Sequence, residues 1–201
     1  MFDGFRRDGV PADNYLMLDD WWYSGVHPGS MLIDTPVANP EWFPHGLDEL
    51  WERIGKVALD IYSVHYTKNF TLFQQLGIPT IHDDWAPPGG YLPGPTAHTS
   101  QQFYEALFAT WGAEKGMLRM HEIDFLIFLA YQTRAFQADP EGARWFLQGM
   151  NAAAVAKNVT IQYCRYSPPP SPPQTELISP QYHVGESSGP AQVMPYLFDF
   201  I

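Results

Sequence analysis

The sequence predicts an α/β fold in which parallel strands alternate with helices. Three observations carry this. Short apolar runs recur along the chain, each bounded by polar or turn-forming residues. Between them lie segments whose apolar residues fall at helical spacing. The two kinds of segment alternate, in the order strand, helix, strand, loop, helix, strand, helix, helix, strand, which is the pattern of a parallel sheet covered by helices.

The elements follow in chain order. Asn14 to Asp20 (NYLMLDD) reads as a first strand, followed by loop chemistry at Gly25, Pro28, Gly29, Pro36 and Pro40. Leu47 to Val57 reads as a helix, because Leu47, Leu50, Trp51 and Ile54 fall at i, i+3, i+4 and i+7 and make one apolar stripe. Lys56 to Val64 (KVALDIYSV) reads as the second strand. The segment from Gly77 to Pro95 is rich in proline and glycine and reads mostly as a long loop, a kind of loop that is usually functional or disordered. Thr99 and Gln102 form a capping-box pattern that opens a helix with Phe103, Leu107 and Trp111 on its buried face, stopped by Gly116. Met117 to Asp124 (MLRMHEID) is the third strand. Phe125 to Gln137 returns to helical spacing. Asp139 and Pro140 then supply an N-cap and a first-turn proline for a helix to about Lys157, with Phe146, Leu147, Met150 and Ala154 as its stripe. Val159 to Cys164 is the fourth strand. Beyond it, SPPPSPPQ (Ser167 to Gln174) contains five prolines and is extended, polyproline-like or disordered, and a weak strand is expected near Tyr182 to Gly185. Residues 1–201 are read as a single domain, with the proline-rich insert at about 167–174.

Composition narrows the function. The 201 residues carry a formal charge of −11, with 45% hydrophobic, 15% aromatic and only 16% charged residues. That content fills a core, so global disorder is excluded. Acidic balance without clustered Lys and Arg disfavours nucleic acid and anionic membrane surfaces. The longest apolar stretch, Ile123 to Tyr131, is far short of the roughly 20 residues that span a bilayer, and the N-terminus shows no apolar signal-peptide segment. Low charge with many aromatics fits a neutral, ring-shaped ligand. The single cysteine, Cys164, excludes an intramolecular disulfide and a cysteine-based zinc cluster, and its place in TIQYC reads as a core thiol.

Parallel sheets bind ligands at the C-terminal ends of their strands, so polar residues there are the informative ones. Strand one ends in Asp19, Asp20, Trp21, Trp22 and Tyr23. Strand two carries Asp60 and leads to His65 and Tyr66. Strand three ends in His121, Glu122 and Asp124. Strand four ends in Gln162, Tyr163 and Cys164. Carboxylates hydrogen-bond sugar hydroxyls, aromatic faces stack on sugar rings, and a pair of carboxylates supports glycoside hydrolysis. The bland readings stand beside these. An isolated Asp-Asp is usually a cap or an exposed turn, although the following Trp-Trp-Tyr is costly to expose. Asp60 faces either the site or solvent. Asp83 and Asp84 read as solvated loop residues. The spacing of His121, Glu122 and Asp124 is not that of a standard metal-ligand motif, and no cofactor is implied. No G-x-S-x-G elbow and no glycine-rich phosphate loop occur.

Several segments resemble a known family. YLMLDDWWYSG and EWFPHGLDELWERIG resemble the opening of the α-galactosidase and raffinose-synthase group of glycoside hydrolase barrels. WGAEKGMLRMHEIDFL and ARWFLQGMNAAAVAKNVTIQYCRYSP resemble strand and helix-strand units of barrel proteins related to that group. The matching segments span about Tyr15 to Pro168, with a divergent stretch between Lys68 and Thr96. The resemblance implies a (β/α)₈ TIM-type barrel, here partial, with the first half to two thirds of its strands. It implies a retaining exo-acting α-glycosidase and a galactoside-like ligand. Carried over by position, Asp124 is the implied nucleophile. Asp19, Asp20 and Trp21 match the sugar-binding end of strand one, and Gln162 and Cys164 the pocket floor. With the strand-end residues Trp22, Asp60, His65 and Glu122, these form the expected sugar-binding set. The chain departs from the family in two places. The Trp expected after the nucleophile is Phe125. The arginine-containing segment that would carry the acid/base has no match, and HVGESSG stands in its place with Glu186 as its one carboxylate. Two alternatives therefore stand beside the hydrolase: an inactive carbohydrate-binding relative, and a fragment without function of its own. An open parallel sheet exposes unpaired edges, so self-association is expected.

Overall fold

The computed structural model of this protein describes residues 15–19, 22–25, 32–83, 89–124, 126, 129 and 133–163. Two sheets organise them. The first contains β1 (Leu16–Leu18), β4 (Leu59–Tyr62), β8 (Leu118–Ile123) and β9 (Thr160–Tyr163), in the spatial order β1-β4-β8-β9, each parallel to its neighbour. Spatial order follows chain order, as expected for successive strand-helix-strand crossovers. The described residues form no closed barrel.

Helices cover one face of this sheet. The main pair is α3 (Ala97–Thr110) and α5 (Pro140–Lys157), which pack along each other. The start of α3 differs from the expected one. Its N-cap is Thr96, whose side chain accepts from the Thr99 backbone, while the Thr99 hydroxyl accepts from the Thr96 backbone. Two threonines three residues apart thus satisfy each other, and Gln102 plays no part in the cap. The start of α5 is as the sequence indicates: Asp139 accepts from the Glu141 N–H at 3.0 Å and Pro140 occupies the first turn. That helix stops where Asn158 turns left-handed (φ 53°). The stretch expected to be one helix over Phe125 to Gln137 is interrupted at Thr133, whose extended backbone (ψ 109°) precedes a separate short helix, α4 (Arg134–Ala138).

The helix α1 (Gly46–Arg53) is shorter than its apolar stripe suggests. Gly55 (φ 77°) and Lys56 (φ 62°) both turn left-handed, and an α-helix cannot continue through them. Asp48 and Glu49 in its first turn and Arg53 in its last complement the helix dipole.

The second sheet is the principal departure from the sequence reading. It contains β2 (Tyr23–Gly25), β3 (Leu32–Ala38), β5 (His65–Tyr66), β6 (Thr80–Asp83) and β7 (Gly90–Pro93), in the order β2-β3-β5-β7-β6. Only the β3–β5 pair is parallel; the other pairs run antiparallel. Its strands come from the two segments that follow β1 and β4. Of these, β3, β6 and β7 fall in stretches read as loops from their prolines and glycines, whereas β2 and β5 follow directly on the residues read as the ends of the first and second strands. Proline is tolerated here because Pro93 closes a strand, and Pro36 sits in a short, irregularly paired ribbon whose carbonyl accepts from Trp111 Nε1 at 2.9 Å. A second unexpected element, α2 (Thr71–Leu76), ends at left-handed Gly77. It brings Phe70 and Phe73 against Tyr66 and Phe103, with ring centroids 4.6–5.9 Å apart.

The core is continuous from the parallel sheet through the helices to the second sheet, and Trp22, Tyr23, Tyr62, Tyr66, Tyr104 and Trp111 are its largest fully buried members among the described residues. The closest helix approach is at Gly149, where an added Cβ would collide with the Ala97 carbonyl oxygen and with Ser100 Cβ. Beside it, Ser100 Oγ donates to the Phe146 carbonyl at 2.8 Å. Gly149→Val is therefore expected to overpack the α3–α5 contact and lower stability by about 1–3 kcal/mol in denaturant melts, whereas Val155→Ala, at an exposed position of the same helix, should change it by no more than about 0.5 kcal/mol.

Candidate functional site

The register of the parallel sheet decides which side chains meet. Met17, Asp60, Met120 and Thr160 stand side by side, followed by Leu18, Ile61, His121 and Ile161, and then by Tyr62, Glu122 and Gln162. Side chains alternate between faces along a strand, and in-register neighbours share a face. The row containing His121 faces the helices: its ring lies 5.8 Å from Tyr104, 5.3 Å from Phe108 and 5.8 Å from Trp111, all on or at the end of α3. The other face therefore carries Asp60, Glu122 and Gln162. Asp19, just past β1, and Asp124, just past β8, continue the same phase at the C-terminal ends of their strands. Five of the residues expected to form a site thus fall on one face.

Their environments differ. Asp19 is exposed, while Asp124 and Gln162 are half-buried. Asp60 and Glu122 are buried, at 3% and 4% exposure. Of the two readings of Asp60, the solvent-facing one is excluded. Burial, with the Asp19 charge adding to it, pushes the Asp60 carboxyl up to about 7. The ladder places Glu122 and Gln162 side by side on neighbouring strands, about 4.8 Å apart at the backbone. Ser63, directly after β4, donates its backbone N–H to the Glu122 carbonyl at 3.0 Å, which fixes the two strand ends relative to each other.

Two expected site residues have other roles or places. Trp22 is a core residue rather than a stacking platform: its indole is 2% exposed, Nε1 donates to the Tyr62 carbonyl at 2.9 Å, and its ring meets Trp111 and Tyr23 edge-on. His65 does not stand at the end of the second parallel strand. That strand ends at Tyr62, and His65 belongs to β5 in the other sheet, fully buried, with Nδ1 2.9 Å from Asp83 Oδ2. Asp83, read as solvated, is also fully buried, and Thr133 Oγ1 donates to its Oδ1 at 3.0 Å. This Thr133–Asp83–His65 chain ties the segment before α4 to two strands of the second sheet. Nothing local in the sequence marks it, because its members come from three distant segments. Gly90 packs on the His65 ring, where an added Cβ would come within 3.1 Å of His65 Cβ. Asp20, Trp21, Cys164, Glu186, the proline-rich insert and the weak strand near Tyr182 to Gly185 lie outside the described residues.

His121 is set apart from the acids on the opposite face. Its Nδ1 lies 2.9 Å from the Ile61 carbonyl oxygen, so that nitrogen carries the proton. Burial lowers the imidazole to about 4 despite that hydrogen bond. It is a neutral core histidine, not a partner of Glu122 and Asp124. Among the described residues, no three His, Cys, Asp or Glu side chains are grouped so as to hold a metal ion, and no helix is long and apolar enough to cross a membrane.

With this geometry in hand, comparison with known proteins becomes informative. No protein-family model matches the chain, and no curated protein matches it in sequence. Solved structures do match. The chain is similar to an α-galactosidase from Lactobacillus brevis, with a TM-score of 0.51 and 16% identity over 81% of this chain and 24% of that one. It is also similar to a GH36 α-galactosidase from Geobacillus stearothermophilus in complex with raffinose, with a TM-score of 0.50 and 13% identity over 80% of this chain and 25% of that one. The chain spans about a quarter of the length of these two structures. Identities this low establish the shared fold: a parallel sheet with its covering helices.

Two of the shifted groups, His121 and Asp60, give stability opposite pH dependences. His121 is held well below its unfolded value of 6.5, so the unfolded chain gains a proton first as pH falls. Stability should therefore drop between about pH 6.5 and 4, by roughly 3 kcal/mol at 1.36 kcal/mol per unit. In denaturant melts across this range, His121→Gln should flatten that limb. Asp60 is held above its unfolded value of 3.8, so the folded chain keeps a proton that the unfolded chain has lost. Its contribution is intact below about pH 4 and is lost as pH rises to about 7. Asp60→Asn should accordingly be more stabilising at pH 8 than at pH 4, by on the order of 2–4 kcal/mol, read as the difference between melts of the two proteins.

Proposed function

We propose that this chain is a glycoside hydrolase-like domain of (β/α)₈ barrel type that takes a neutral, galactoside-like sugar at the C-terminal ends of its parallel strands. One observation carries the reading. Asp19, Asp60, Glu122, Asp124 and Gln162, from four different strands or strand ends, share the sheet face opposite the helices. In a barrel that face is the interior, and its C-terminal rim is where substrates bind. Similarity of fold to two α-galactosidases, one of them in complex with raffinose, supports the same ligand class. So does the resemblance of the strand segments to that group.

The proposed roles follow from position and environment. Asp124, half-buried at the end of β8, is the nucleophile that attacks the anomeric carbon and forms the glycosyl-enzyme. Glu186, in HVGESSG, is the acid that protonates the departing glycosidic oxygen and then activates the water that releases the sugar. Asp19, Asp20, Trp21, Asp60, Glu122, Gln162 and Cys164 surround the sugar, the carboxylates and the amide engaging its hydroxyls. The second reading is an inactive sugar-binding relative. The sequence difference that favours it is the missing arginine-containing segment, because loss of a positioned acid removes typically 10²–10⁴-fold of rate.

The two readings separate in one pair of measurements. If the chain is a hydrolase, it turns over p-nitrophenyl α-galactoside. Asp124→Asn abolishes turnover, and Glu186→Gln slows it by roughly 10²–10⁴-fold. If it is a binder alone, calorimetric titration with galactose, melibiose or raffinose gives heat without turnover. Neither heat nor turnover would overturn both.

A further inference from the structure

The chain crosses from one sheet to the other within two residues. The parallel strand β4 ends at Tyr62 and β5, in the second sheet, begins at His65, so Ser63 and Val64 make the crossing. Three directional bonds meet there. Trp22 Nε1 donates to the Tyr62 carbonyl at 2.9 Å. The Ser63 N–H donates to the Glu122 carbonyl at 3.0 Å. The Ser63 hydroxyl shares a hydrogen bond of 2.7 Å with the hydroxyl of Tyr66, which already belongs to the second sheet. Ser63 and Tyr66 are both buried. The Tyr66 ring is held in turn by Phe70, Phe73 and Phe103. An unbroken path of contacts therefore runs from the aromatic cluster, through the two hydroxyls, to the backbone of Glu122. Packing does not call for the hydroxyls: the three rings around Tyr66 are phenylalanines, and a neutral hydrogen bond adds little net stability. What it supplies is a fixed distance and angle, which apolar packing does not.

We propose that Ser63 and Tyr66 are positioning residues for Glu122: their shared hydrogen bond fixes the end of β4 and, through the Ser63 N–H, the end of β8, so that the Glu122 carboxyl meets a hydroxyl of the bound sugar. The inference rests on the sugar-binding reading and deepens it. Tyr62 and Glu122 are the last registered pair of β4 and β8 among the described residues. The Ser63 bond extends that pairing at the rim, where the sugar would sit. Both hydroxyls lie in the core, so they act through Glu122 and not on the sugar itself. A hydrogen bond to a sugar hydroxyl weakens steeply with distance and angle. Binding groups therefore work only when held to about 0.5 Å by neighbours that are themselves locked in place. Here the second sheet is the locked body, and the Tyr66–Ser63 link carries its hold to Glu122.

The test reads the Glu122 carboxyl carbon by ¹³C-NMR in the full chain, with melibiose calorimetry as a second arm. Tyr66→Phe and Ser63→Ala each delete one hydroxyl and little else, so either serves should the other fail to fold. Each is expected to displace the Glu122 signal, assigned with Glu122→Gln, and to leave in place the signal of Asp19, which lies past β1 and off the path. The double variant should show the displacement of one substitution and not the sum, because both break the same bond. A bond that only stabilised the fold would lower the melting temperature and leave the Glu122 signal unmoved. That result overturns the proposal, as does a shift of both signals or a double variant whose displacements add. In the second arm, melibiose affinity is expected to fall about five- to tenfold in either single variant. A displaced Glu122 signal with unchanged affinity overturns the link to sugar binding. A displaced signal in a protein that gives no heat with melibiose supports the positioning of Glu122 and overturns the sugar reading.

Discussion

The shared register of four parallel strands is the constraint on which the rest of this structure depends. Because β1, β4, β8 and β9 run in one direction and in phase, every second residue of each strand joins a common face. One face collects Leu18, Ile61, His121 and Ile161 and is sealed by helices. The other collects Asp60, Glu122 and Gln162. The phase is not uniform along the ladder. Leu59 pairs with Leu118 but Asp60 pairs with Met120, so Arg119 is an extra residue at an irregularity. Without that step, the pairing of Asp60 would shift by one residue. Glu122 would then change its neighbours, since a one-residue slip reverses which side chains meet.

The second sheet answers a different need. Its strands come from the segments that leave the C-terminal ends of β1 and β4, so it is tethered to the rim where the acids lie. Trp22 and Trp111 join the layers through their indole N–H groups, one donating to the Tyr62 carbonyl in the parallel sheet and the other to the Pro36 carbonyl in the second. The Thr133–Asp83–His65 chain and the Tyr66, Phe70, Phe73 and Phe103 cluster fix the remaining sides. Functional loops work best on a rigid scaffold, and here the loops have become part of that scaffold.

Gathering acids on one face opposes folding. Asp60 is taken out of water beside the Asp19 charge, and no described Lys or Arg on these strands offsets it. Natural proteins tolerate such arrangements where chemistry or recognition requires them, with stability supplied elsewhere. Elsewhere, in this protein, is the aromatic core: of the twelve largest fully buried side chains among the described residues, nine are Trp, Tyr or Phe. A core of that kind gives much apolar burial per residue, which suits a sheet whose other face is given over to carboxylates.

Much of this was legible in the amino-acid order alone. The four parallel strands, the helices after the Thr96 region and at Asp139-Pro140, and the core stripe of Phe103, Leu107 and Trp111 are local features. Propensity, capping and hydrophobic period determine them within a few residues. Position at a predicted strand end also sufficed to nominate Glu122 and Asp124, because strand-end acids are visible without knowing what lies beside them, while the face of Asp60 stayed open between site and solvent. Other features were decided only by the tertiary structure. The second sheet, the partnership of His65 with Asp83 and the burial of Trp22 depend on contacts between separate segments, as far apart in the chain as Trp22 and Trp111. The balance between a loop and a strand at Leu32–Ala38 or Gly90–Pro93 is set by the partner that each finds, not by its own residues. The same holds for charge. An Asp in a strand is ionised or neutral according to the water it loses and the acids placed beside it, and the chain acquires both only when the sheet closes around Asp60.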